Sequence, residues 1–322
     1  MRPPRREPWR IAETSVAAGI RAVGDVPIAR LVTGTPISLP FQVVHGKLDG
    51  PAVWLSAAVH GDEIAGVEII RRVMSELEPA RTAGTVIAVP IVNVHGFLNG
   101  DRYLPDRRDL NRSFPGSASG SLAARVANLF MTEVVSRCDV GIDLHTGSDH
   151  RINLPQIRAD LDDSETRRLA EAFGAPLMLH ARVRDGSLRG AATELGKTVL
   201  LYEGGEAWRF DRDSIEAGVT GVRNVLSELG MVAEPTDRCI VPPRLSRKSR
   251  WVRARRSGIV GLNTGLGDTV AKGQQIAVIH DAVGRRLARV NAPSDGVIIG
   301  HVQHPLVNQG DALVHIAELE TP

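Results

Sequence analysis

The segment that most constrains the fold covers residues 53–63 and reads VWLSAAVHGDE. Its unbroken apolar run predicts a strand that is buried on both faces, as in parallel sheets covered by helices. Directly after this run, His60 and Glu63 bring an imidazole and a carboxylate within three residues of each other. These two groups are frequent ligands of zinc. The segment therefore predicts a buried strand that delivers two metal ligands at its carboxyl end.

Length and composition limit the class of protein. A chain of 322 residues is long enough for one large α/β domain and a smaller one. No apolar run reaches the roughly 18 residues that a membrane helix needs, and the N-terminus lacks the apolar region of a secretory signal. Cys138 and Cys239 form no CxxC motif, and we expect them to be buried thiols. We therefore expect a cytoplasmic protein without a membrane partner.

The formal net charge of +2 gives no overall indication of nucleic-acid binding. The exception is residues 238–256, where basic side chains are crowded together. We interpret this segment as a solvated linker between domains. A patch that binds a polyanion is the alternative, although no interleaved aromatic platform supports it.

Strands alternate with helices along the first 230 residues. The predicted strands cover residues 53–59, 85–92, 140–144 and 198–202, and the predicted helices cover residues 64–77, 122–135, 164–173 and 213–229. This alternation predicts an α/β fold with a mixed, mostly parallel sheet flanked by helices on both faces. His60, His145 and Glu203 each directly follow an apolar strand in this interpretation. In such sheets ligands bind outside the carboxyl ends of the strands, so we expect these three side chains to converge.

A third zinc ligand is needed beside His60 and Glu63, because catalytic zinc usually takes three protein ligands and keeps one position open. We predict His145, in the segment IDLHTG, and one zinc ion per chain. Asp143 lies two residues earlier on the same strand face and is expected to orient an imidazole. Histidines with a purely structural role are the alternative.

Zinc-bound water needs a base near neutral pH, and a carboxylate beside the metal can fill that role. Glu203, in LYEGGE, is our candidate because it directly follows a strand; Glu206 in the same segment is the competitor. His150 is a weaker candidate for the lining of the same pocket. We expect no special role for His95, as a loop residue, or for His180.

The loop at residues 93–116 is long and rich in polar groups, which is typical of functional loops on α/β scaffolds. Arg102 and Arg112 are donors suited to carboxylates and developing oxyanions, and Asn111 adds an amide. Solvated loop charges are the alternative, but the crowding in DLNRSFPG makes it weaker.

Four motifs occur in a fixed order: HGDE, the loop NVHGF…R…DLNRSFPG, DLHTG, and the strand end YEGG. Together they resemble the succinylglutamate desuccinylase/aspartoacylase family of zinc carboxypeptidase-like amidohydrolases, over about residues 53–229. The resemblance implies that zinc is bound at the positions His60, Glu63 and His145. It also implies that Glu203 is the general base and acid.

The same resemblance implies roles for the polar loop. Arg102 is expected to polarise the scissile carbonyl, Asn111 and Arg112 to hold a substrate carboxylate, and Asp109 to support them. The implied reaction is hydrolysis of a small N-acyl amino acid to a carboxylic acid and a free amine. The segment after DLHTG differs from the family prototypes and looks more like members related to N-acetyl-diaminobutyrate deacetylases. Its Arg151, Asn153 and Arg158 are therefore expected to set substrate choice.

The C-terminal part contains an internal repeat with a period of 37 to 38 residues, in which 258–261 aligns with 296–299 and 270–279 with 307–316. Two short β units related in this way suggest a small all-β barrel, which resembles biotinyl/lipoyl domains. Those carrier domains present a lysine in the turn where this chain has HDAVGRR. We therefore expect no swinging arm here, and two roles stay open: a lid over the active site or a contact in a homo-oligomer.

These patterns divide the chain into an N-terminal arm with strands (1–45), a zinc amidohydrolase domain (46–235) and the small barrel (246–322). A metallocarboxypeptidase that acts on peptide C-termini is the second enzymatic hypothesis, since it would share the metal core. A metal-free binding protein is a third hypothesis. The presence of all three candidate ligands and Glu203 argues against it.

Overall fold

A twelve-stranded mixed sheet organises the chain in the computed structural model, which describes residues 6–181, 183–233 and 242–320. Cys239 and Arg238 lie outside these described residues. The helices are α1 (Ala65–Glu76), α2 (Val94–Asn99), α3 (Leu122–Glu133), α4 (Ser164–Phe173), α5 (Leu188–Glu194) and α6 (Arg212–Glu228). No helix within the described ranges combines the length and the apolar character required to cross a membrane.

The strands fall into an N-terminal and a C-terminal set. The first set is β1 (Trp9–Ile11), β2 (Thr14–Val16), β3 (Ile20–Arg30), β4 (Pro36–His45), β5 (Leu48–Ala57), β6 (Ala83–Val89), β7 (Val140–Gly147), β8 (Arg151–Ala159), β9 (Leu177–His180) and β10 (Thr198–Glu206). The second set is β11 (Arg244–Arg253), β12 (Gly258–Leu262), β13 (Thr269–Val270), β14 (Gln275–His280), β15 (Arg286–Asn291), β16 (Gly296–Val302), β17 (Leu306–Val307) and β18 (Ala312–Leu319).

The large sheet has the order β13-β16-β18-β11-β9-β8-β10-β7-β5-β6-β4-β3. The four strands β6, β5, β7 and β10 at its centre run parallel, as predicted. Both flanks are largely antiparallel, since β4 pairs antiparallel with β6 and β8 antiparallel with β10. The prediction of a mixed sheet is confirmed. The term "mostly parallel" holds for the centre and for β8, β9 and β11, which run parallel to one another, but not for the whole sheet. The strand β8, which pairs antiparallel with β10, was not recognised in the sequence, and the prediction did not include that N- and C-terminal strands join this sheet.

Two apolar cores cover the two faces of the central strands. Along β5, Val53 and Leu55 face the core that also contains α1, α4 and α6, whereas Trp54 faces the core that contains α3 and α5. Alternate side chains of a strand point to opposite faces, so a strand covered on both faces is apolar throughout. This double coverage explains the unbroken apolar run that precedes His60.

Several elements were not predicted from the sequence. The strands β8 and β9 and the helix α5 were missed, and the predicted loop at 93–116 contains the short helix α2, in which His95 lies. The basic segment is also different from the prediction: from Arg244 onward it is the strand β11 rather than a linker. Two of its arginines are paired with acids: Arg247 contacts Asp162 at 2.7 Å and Glu320 at 2.9 Å, and Arg250 contacts Glu318 at 2.8 Å.

The C-terminal strands confirm the internal repeat. The strands β12, β13 and β14 correspond to β16, β17 and β18, and their pairing repeats as well: β12 pairs with β14 and β17, while β16 pairs with β18 and β13. The predicted turn lies between β14 and β15. All regular elements described from residue 244 onward are strands. The likeness to biotinyl/lipoyl domains stays a prediction.

The C-terminal strands are joined to the central sheet at two places. β11 runs parallel to β9, and β16 pairs antiparallel with β8. Through β18, which lies between β11 and β16, these pairings close a ring of five strands: β8, β9, β11, β18 and β16. The C-terminal part is therefore continuous with the sheet that carries the candidate site, rather than a separate attachment.

The contact between Trp54 and Gly141 offers a test of this packing. A Cβ atom at Gly141 would lie 1.9 Å from Trp54, whereas a Cβ atom at Gly261 in β12 would meet nothing within 4 Å. We expect Gly141→Ala to lower the free energy of unfolding by about 2–3 kcal/mol through overpacking. Gly261→Ala should change it by less than about 0.5 kcal/mol. Urea unfolding followed by circular dichroism checks this, and equal losses in the two variants would contradict the packing.

Candidate active site

The central strands bring the predicted site residues to one end of the sheet. His60 lies after the end of β5, as predicted, although two residues separate it from the strand. His145 and Glu203 lie inside β7 and β10 rather than after their ends. His145 and Glu203 are direct partners in the parallel pairing of these two strands. They converge because neighbouring strands hold them in register, which is a tighter constraint than a shared sheet edge.

Three buried groups form a candidate metal site. The Nδ1 atom of His60 lies 2.9 Å from Glu63 Oε1, and the Nδ1 atom of His145 lies 2.8 Å from Glu63 Oε2. One ligand atom from each residue lies within 4.8 Å of the other two. The two imidazole rings are 5.1 Å apart at an angle of 61°. Two nitrogens and a carboxylate oxygen are a common zinc donor set, with room for a fourth ligand.

The nitrogens that face away from Glu63 are bound by two other carboxylates. His145 Nε2 lies 2.7 Å from Asp143 Oδ2, and His60 Nε2 lies 3.1 Å from Asp109 Oδ1. Such contacts fix the orientation of a metal-binding imidazole and leave its other nitrogen free to bind the ion. The structure thus confirms the contact predicted for Asp143 and gives the predicted supporting residue Asp109 a partner.

The hydrogen bonding of His60 fits a cation at this place. Its Nδ1 atom is buried and has no hydrogen-bond partner among the described residues, although Glu63 Oε1 is 2.9 Å away. A buried polar atom without a partner is costly, and a metal ion between the two groups would satisfy both. The residues present therefore fit a zinc ion.

The charges of the site also call for a cation. Burial opposes ionisation of Glu63, but His60 and His145 outweigh it and hold the pKa of Glu63 well below its usual value. Burial also opposes protonation of His145, but Asp143 and Glu63 raise the pKa of His145 well above its usual value. A bound divalent ion would replace the protons on these imidazoles, so metal binding should release protons.

A second group of potential ligands consists of Asp160, Asp162 and His180. It is more exposed than the first, and Asp162 is already paired with Arg247 at 2.7 Å. His180 nevertheless lines the cavity described next, where we expected no special role for it. The buried group around Glu63 remains the better metal site, because its carboxylate is shielded from water and fixed by several contacts.

His60, Glu63 and His145 line a cavity of about 490 Å³. Glu203 lines this cavity, accepts a hydrogen bond of 2.6 Å from the Asn153 amide, and lies 3.7 Å from Arg158. Its competitor Glu206 faces another pocket, which it shares with His150. The position of Glu203 thus supports the choice made from the sequence, and the weaker expectation that His150 lines the cavity is wrong.

The polar loop contributes three residues to the same cavity. Arg102 donates to Glu63 Oε1 at 3.0 Å, and its other terminal nitrogen lies 3.3 Å from Asp109 Oδ2. One guanidinium therefore contacts both the carboxylate of the candidate metal site and the carboxylate that orients His60. Asn111 is buried and accepts a hydrogen bond of 2.9 Å from the backbone of Leu188. Arg112 also lines the cavity.

Arg151, Asn153 and Arg158 are brought together by β8 and line the cavity as well. Asn153 contacts Glu203 directly, so it acts on the candidate base in addition to any contact with substrate. Arg151 lies over the ring of Trp251, with 5.5 Å between the guanidinium carbon and the ring centroid.

Some cavity residues were not predicted from the sequence. Two groups were missed: Ser187, Arg184 and Arg189 around the start of α5, and Ser249, Trp251 and His315 on C-terminal strands. The segment RDGSLRG carries a signal for the first group, since two arginines flank a serine that caps a helix. No local sequence signal marks the second group, because these residues reach the cavity only through the pairing of the C-terminal strands with one another and with the rest of the sheet.

Comparison with known proteins places the chain in a family. Residues 49–229 match the sequence profile of the succinylglutamate desuccinylase/aspartoacylase catalytic domain. The chain belongs to this family. A relative from Halomonas elongata, named N-alpha-acetyl-L-2,4-diaminobutyric acid deacetylase, is 31% identical over 296 residues, which are 88% of this chain and 86% of that protein.

Solved structures of the family have the same fold. A succinylglutamate desuccinylase/aspartoacylase from Rhodobacter sphaeroides is 26% identical with a TM-score of 0.82, over 93% of this chain and 96% of that one. The product-bound ectoine utilization protein EutE from Ruegeria pomeroyi gives a TM-score of 0.84 at 24% identity, over 98% and 97% of the two chains. The second likeness concerns the fold alone.

The contact between Asp143 and His145 yields a prediction for this family member. We expect Asp143→Asn to raise the dissociation constant for zinc about 10–100-fold, because the imidazole loses the carboxylate that orients it. Asp160→Asn, in the exposed second group, should leave that constant unchanged. Competition with a fluorescent zinc chelator measures both values. A larger rise in the dissociation constant for Asp160→Asn than for Asp143→Asn would indicate that zinc binds to the second group instead.

Proposed function

We propose that this protein is a zinc-dependent hydrolase that cleaves the amide of a small N-acyl amino acid, giving a carboxylic acid and a free amine. The observation that carries the proposal is the convergence of His60, Glu63 and His145 in a cavity that also contains Glu203. Membership in the succinylglutamate desuccinylase/aspartoacylase family supports it. So does the similarity to a relative named as a deacetylase of an N-acetyl amino acid.

His60, Glu63 and His145 would hold one zinc ion per chain. Zinc in such a site is a Lewis acid that lowers the pKa of water to about 7. The chain's own residues then handle the protons. In this proposal Glu203 takes a proton from the attacking water and returns it to the nitrogen of the leaving amine, whose bond to the acyl carbon breaks. Asn153, which donates to Glu203 Oε2, fixes the direction of this carboxylate.

Three loop residues would position the substrate. We assign the scissile carbonyl to Arg102, whose guanidinium already lies beside Glu63, and the substrate's α-carboxylate to Asn111 and Arg112. A guanidinium can bind a carboxylate through two parallel hydrogen bonds, which sets its orientation as well as its affinity. Arg151 and Asn153 complete the substrate-binding set in this proposal.

The size of the cavity favours a small substrate over a peptide. A volume of about 490 Å³ lies in the range of sites for small molecules. The C-terminal strands contribute Ser249, Trp251 and His315 to its lining and therefore bound it on one side. The assay described below also tests the metallocarboxypeptidase hypothesis. We place the reaction in the cytoplasm, where a buried free thiol such as Cys138 stays reduced.

The experiment that tests the proposal measures amine release from a panel of N-acyl amino acids by the zinc-loaded protein, with a panel of short peptides alongside. We expect turnover of at least one N-acyl amino acid and none of the peptides. Turnover of peptides alone, with release of their C-terminal residues, would establish the carboxypeptidase instead. Absence of turnover with both panels would contradict a hydrolase of this type.

Glu203→Gln tests the role of the base within the same assay. We expect kcat to fall about 10²–10⁴-fold while the zinc content stays at one per chain, because the amide cannot accept the proton but keeps the size of the side chain. Glu206→Gln is the matched control and should keep kcat within a factor of about three, since Glu206 faces the other pocket. A loss in the control as large as that at Glu203 would contradict the assignment.

A further inference from the structure

The loop between β10 and α6 places one tryptophan against several segments of the candidate site. Trp208 follows Glu203 in the segment EGGEAWRF and is 45% exposed, yet both of its nitrogens have partners. Its backbone N–H donates to the carbonyl of Asp62 at 2.9 Å, and its indole N–H donates to the carbonyl of Gly100 at 2.7 Å. Trp208 therefore links two loops that are remote from each other in sequence.

The two carbonyls belong to segments that carry residues of the site. Asp62 directly precedes the metal-site residue Glu63, and Gly100 lies just before the segment Asp101-Arg102. The two segments meet at the candidate metal site, because Arg102 donates to Glu63 Oε1 at 3.0 Å. Trp208 thus holds the backbone next to both members of this ion pair.

The backbone just before Arg102 depends on contacts from outside its own loop. The helix α2 ends at Gly100, which has a left-handed φ of 64°, and the Asp101 N–H donates to the carbonyl of Gly96 at 2.8 Å. Glycine has the widest choice of backbone conformations, so a neighbour is needed to fix the chain at this position. The indole lies directly against it, since a Cβ atom at Gly100 would be 3.5 Å from Trp208 Nε1.

The backbone of Trp208 is strained in the conformation that brings the indole to Gly100. Its φ of 58° lies in the left-handed region, which bulky residues rarely adopt. Such a conformation persists only where surrounding contacts determine it, and residues of this kind are concentrated at functional sites. A glycine at position 208 would adopt the same backbone without strain, but it would have no donor for the Gly100 carbonyl.

A ring contact connects Trp208 with a third segment of the site. The rings of Trp208 and His150 are 5.4 Å apart at an angle of 38°, and His150 is also left-handed, with a φ of 57°. His150 lies in the turn between β8 and β7, the strand that carries His145. The backbone N–H of Ala207 donates to the carbonyl of Gly147 in β7 at 2.9 Å. The loop that carries the indole is therefore anchored to the strand beside the candidate base.

We propose that Trp208 is a positioning residue for the reaction: its indole N–H fixes Gly100 and thereby holds the Arg102 guanidinium in the orientation that meets the scissile carbonyl. This inference rests on the proposed function, in which Arg102 polarises that carbonyl. Trp208 acts from outside the cavity, since it is not among the described residues that line it. A displacement of about 1 Å at a catalytic group can cost about 10²-fold in rate, so one hydrogen bond to this segment affects turnover.

Trp208→Phe removes the indole N–H but keeps an aromatic ring and the backbone donor to Asp62. With the N-acyl amino acid that the wild-type protein hydrolyses fastest, we expect kcat to fall about tenfold. KM should change less than about twofold, because Asn111 and Arg112 are untouched. The dissociation constant for zinc should also stay within a factor of about two, since the contact beside Glu63 is retained. A rise in that constant as large as the loss in kcat would overturn the proposal.

Trp9→Phe is the matched control. The indole N–H of Trp9 is buried and has no hydrogen-bond partner among the described residues, so the variant removes the same group without removing a contact. We expect its kcat to equal that of the wild-type protein. A loss of kcat in this control as large as that in Trp208→Phe would overturn the proposal, because the effect would then not depend on the hydrogen bond to Gly100.

A double-mutant cycle shows whether Trp208 acts through Arg102. Arg102→Gln removes the guanidinium that Trp208 is proposed to position, and by itself it lowers kcat. If the proposal is correct, adding Trp208→Phe to this variant lowers kcat by less than about twofold, because the group that was held in place is gone. A merely structural effect of Trp208→Phe would be independent of Arg102. A further loss of about tenfold in the double variant would therefore overturn the proposal.

Amide hydrogen exchange, measured by mass spectrometry on peptides that cover residues 94–103, keeps this inference separate from the proposed function. We expect these amides to exchange at least about threefold faster in Trp208→Phe than in the wild-type protein and in Trp9→Phe. If the wild-type protein hydrolyses no substrate, the proposed function is wrong, and exchange still decides whether Trp208 holds this segment. Unchanged exchange would overturn the inference, and so would faster exchange combined with an unchanged kcat.

Discussion

The site depends on one buried carboxylate held between two imidazoles. Glu63 has a side chain only 3% exposed and receives hydrogen bonds from Arg102 and from the backbone of Thr146. A carboxylate so far from water is stable only when cations or donors surround it. The two imidazoles lie within 3 Å of its oxygens, yet His60 Nδ1 still lacks a hydrogen bond. A divalent ion would satisfy Glu63 and both imidazoles at once.

The sheet places further polar side chains beside Glu63 and the two imidazoles. Parallel pairing of β7 with β10 sets Glu203 beside His145, and antiparallel pairing of β8 with β10 brings Asn153 to Glu203. The pairing of β8 with β16 then extends the same sheet into the C-terminal strands. One set of backbone hydrogen bonds therefore links His145, the candidate base and the C-terminal strands that line the cavity.

The sequence reveals those parts of the site that short segments encode. His60 and Glu63 lie three residues apart after an apolar run, and His145 lies in another such run, so the convergence of these candidate ligands could be predicted. The strand β8 was missed because its sequence, RINLPQIRA, contains a proline and mixes charged with apolar residues. His315 could not be found, because it reaches the cavity through the pairing of β18 with β16, and β16 in turn pairs with β8, which precedes it by more than one hundred residues in sequence. Local patterns do not specify such pairings.

Anomalous X-ray diffraction at the zinc absorption edge, from crystals of the zinc-loaded protein, tests the central claim most directly. We predict a single strong peak per chain, bonded to His60 Nδ1, His145 Nδ1 and a carboxylate oxygen of Glu63, at about 2.0–2.2 Å from each. A peak at Asp160, Asp162 and His180, with none beside Glu63, would contradict the claim, and so would fully loaded crystals without a peak at either place.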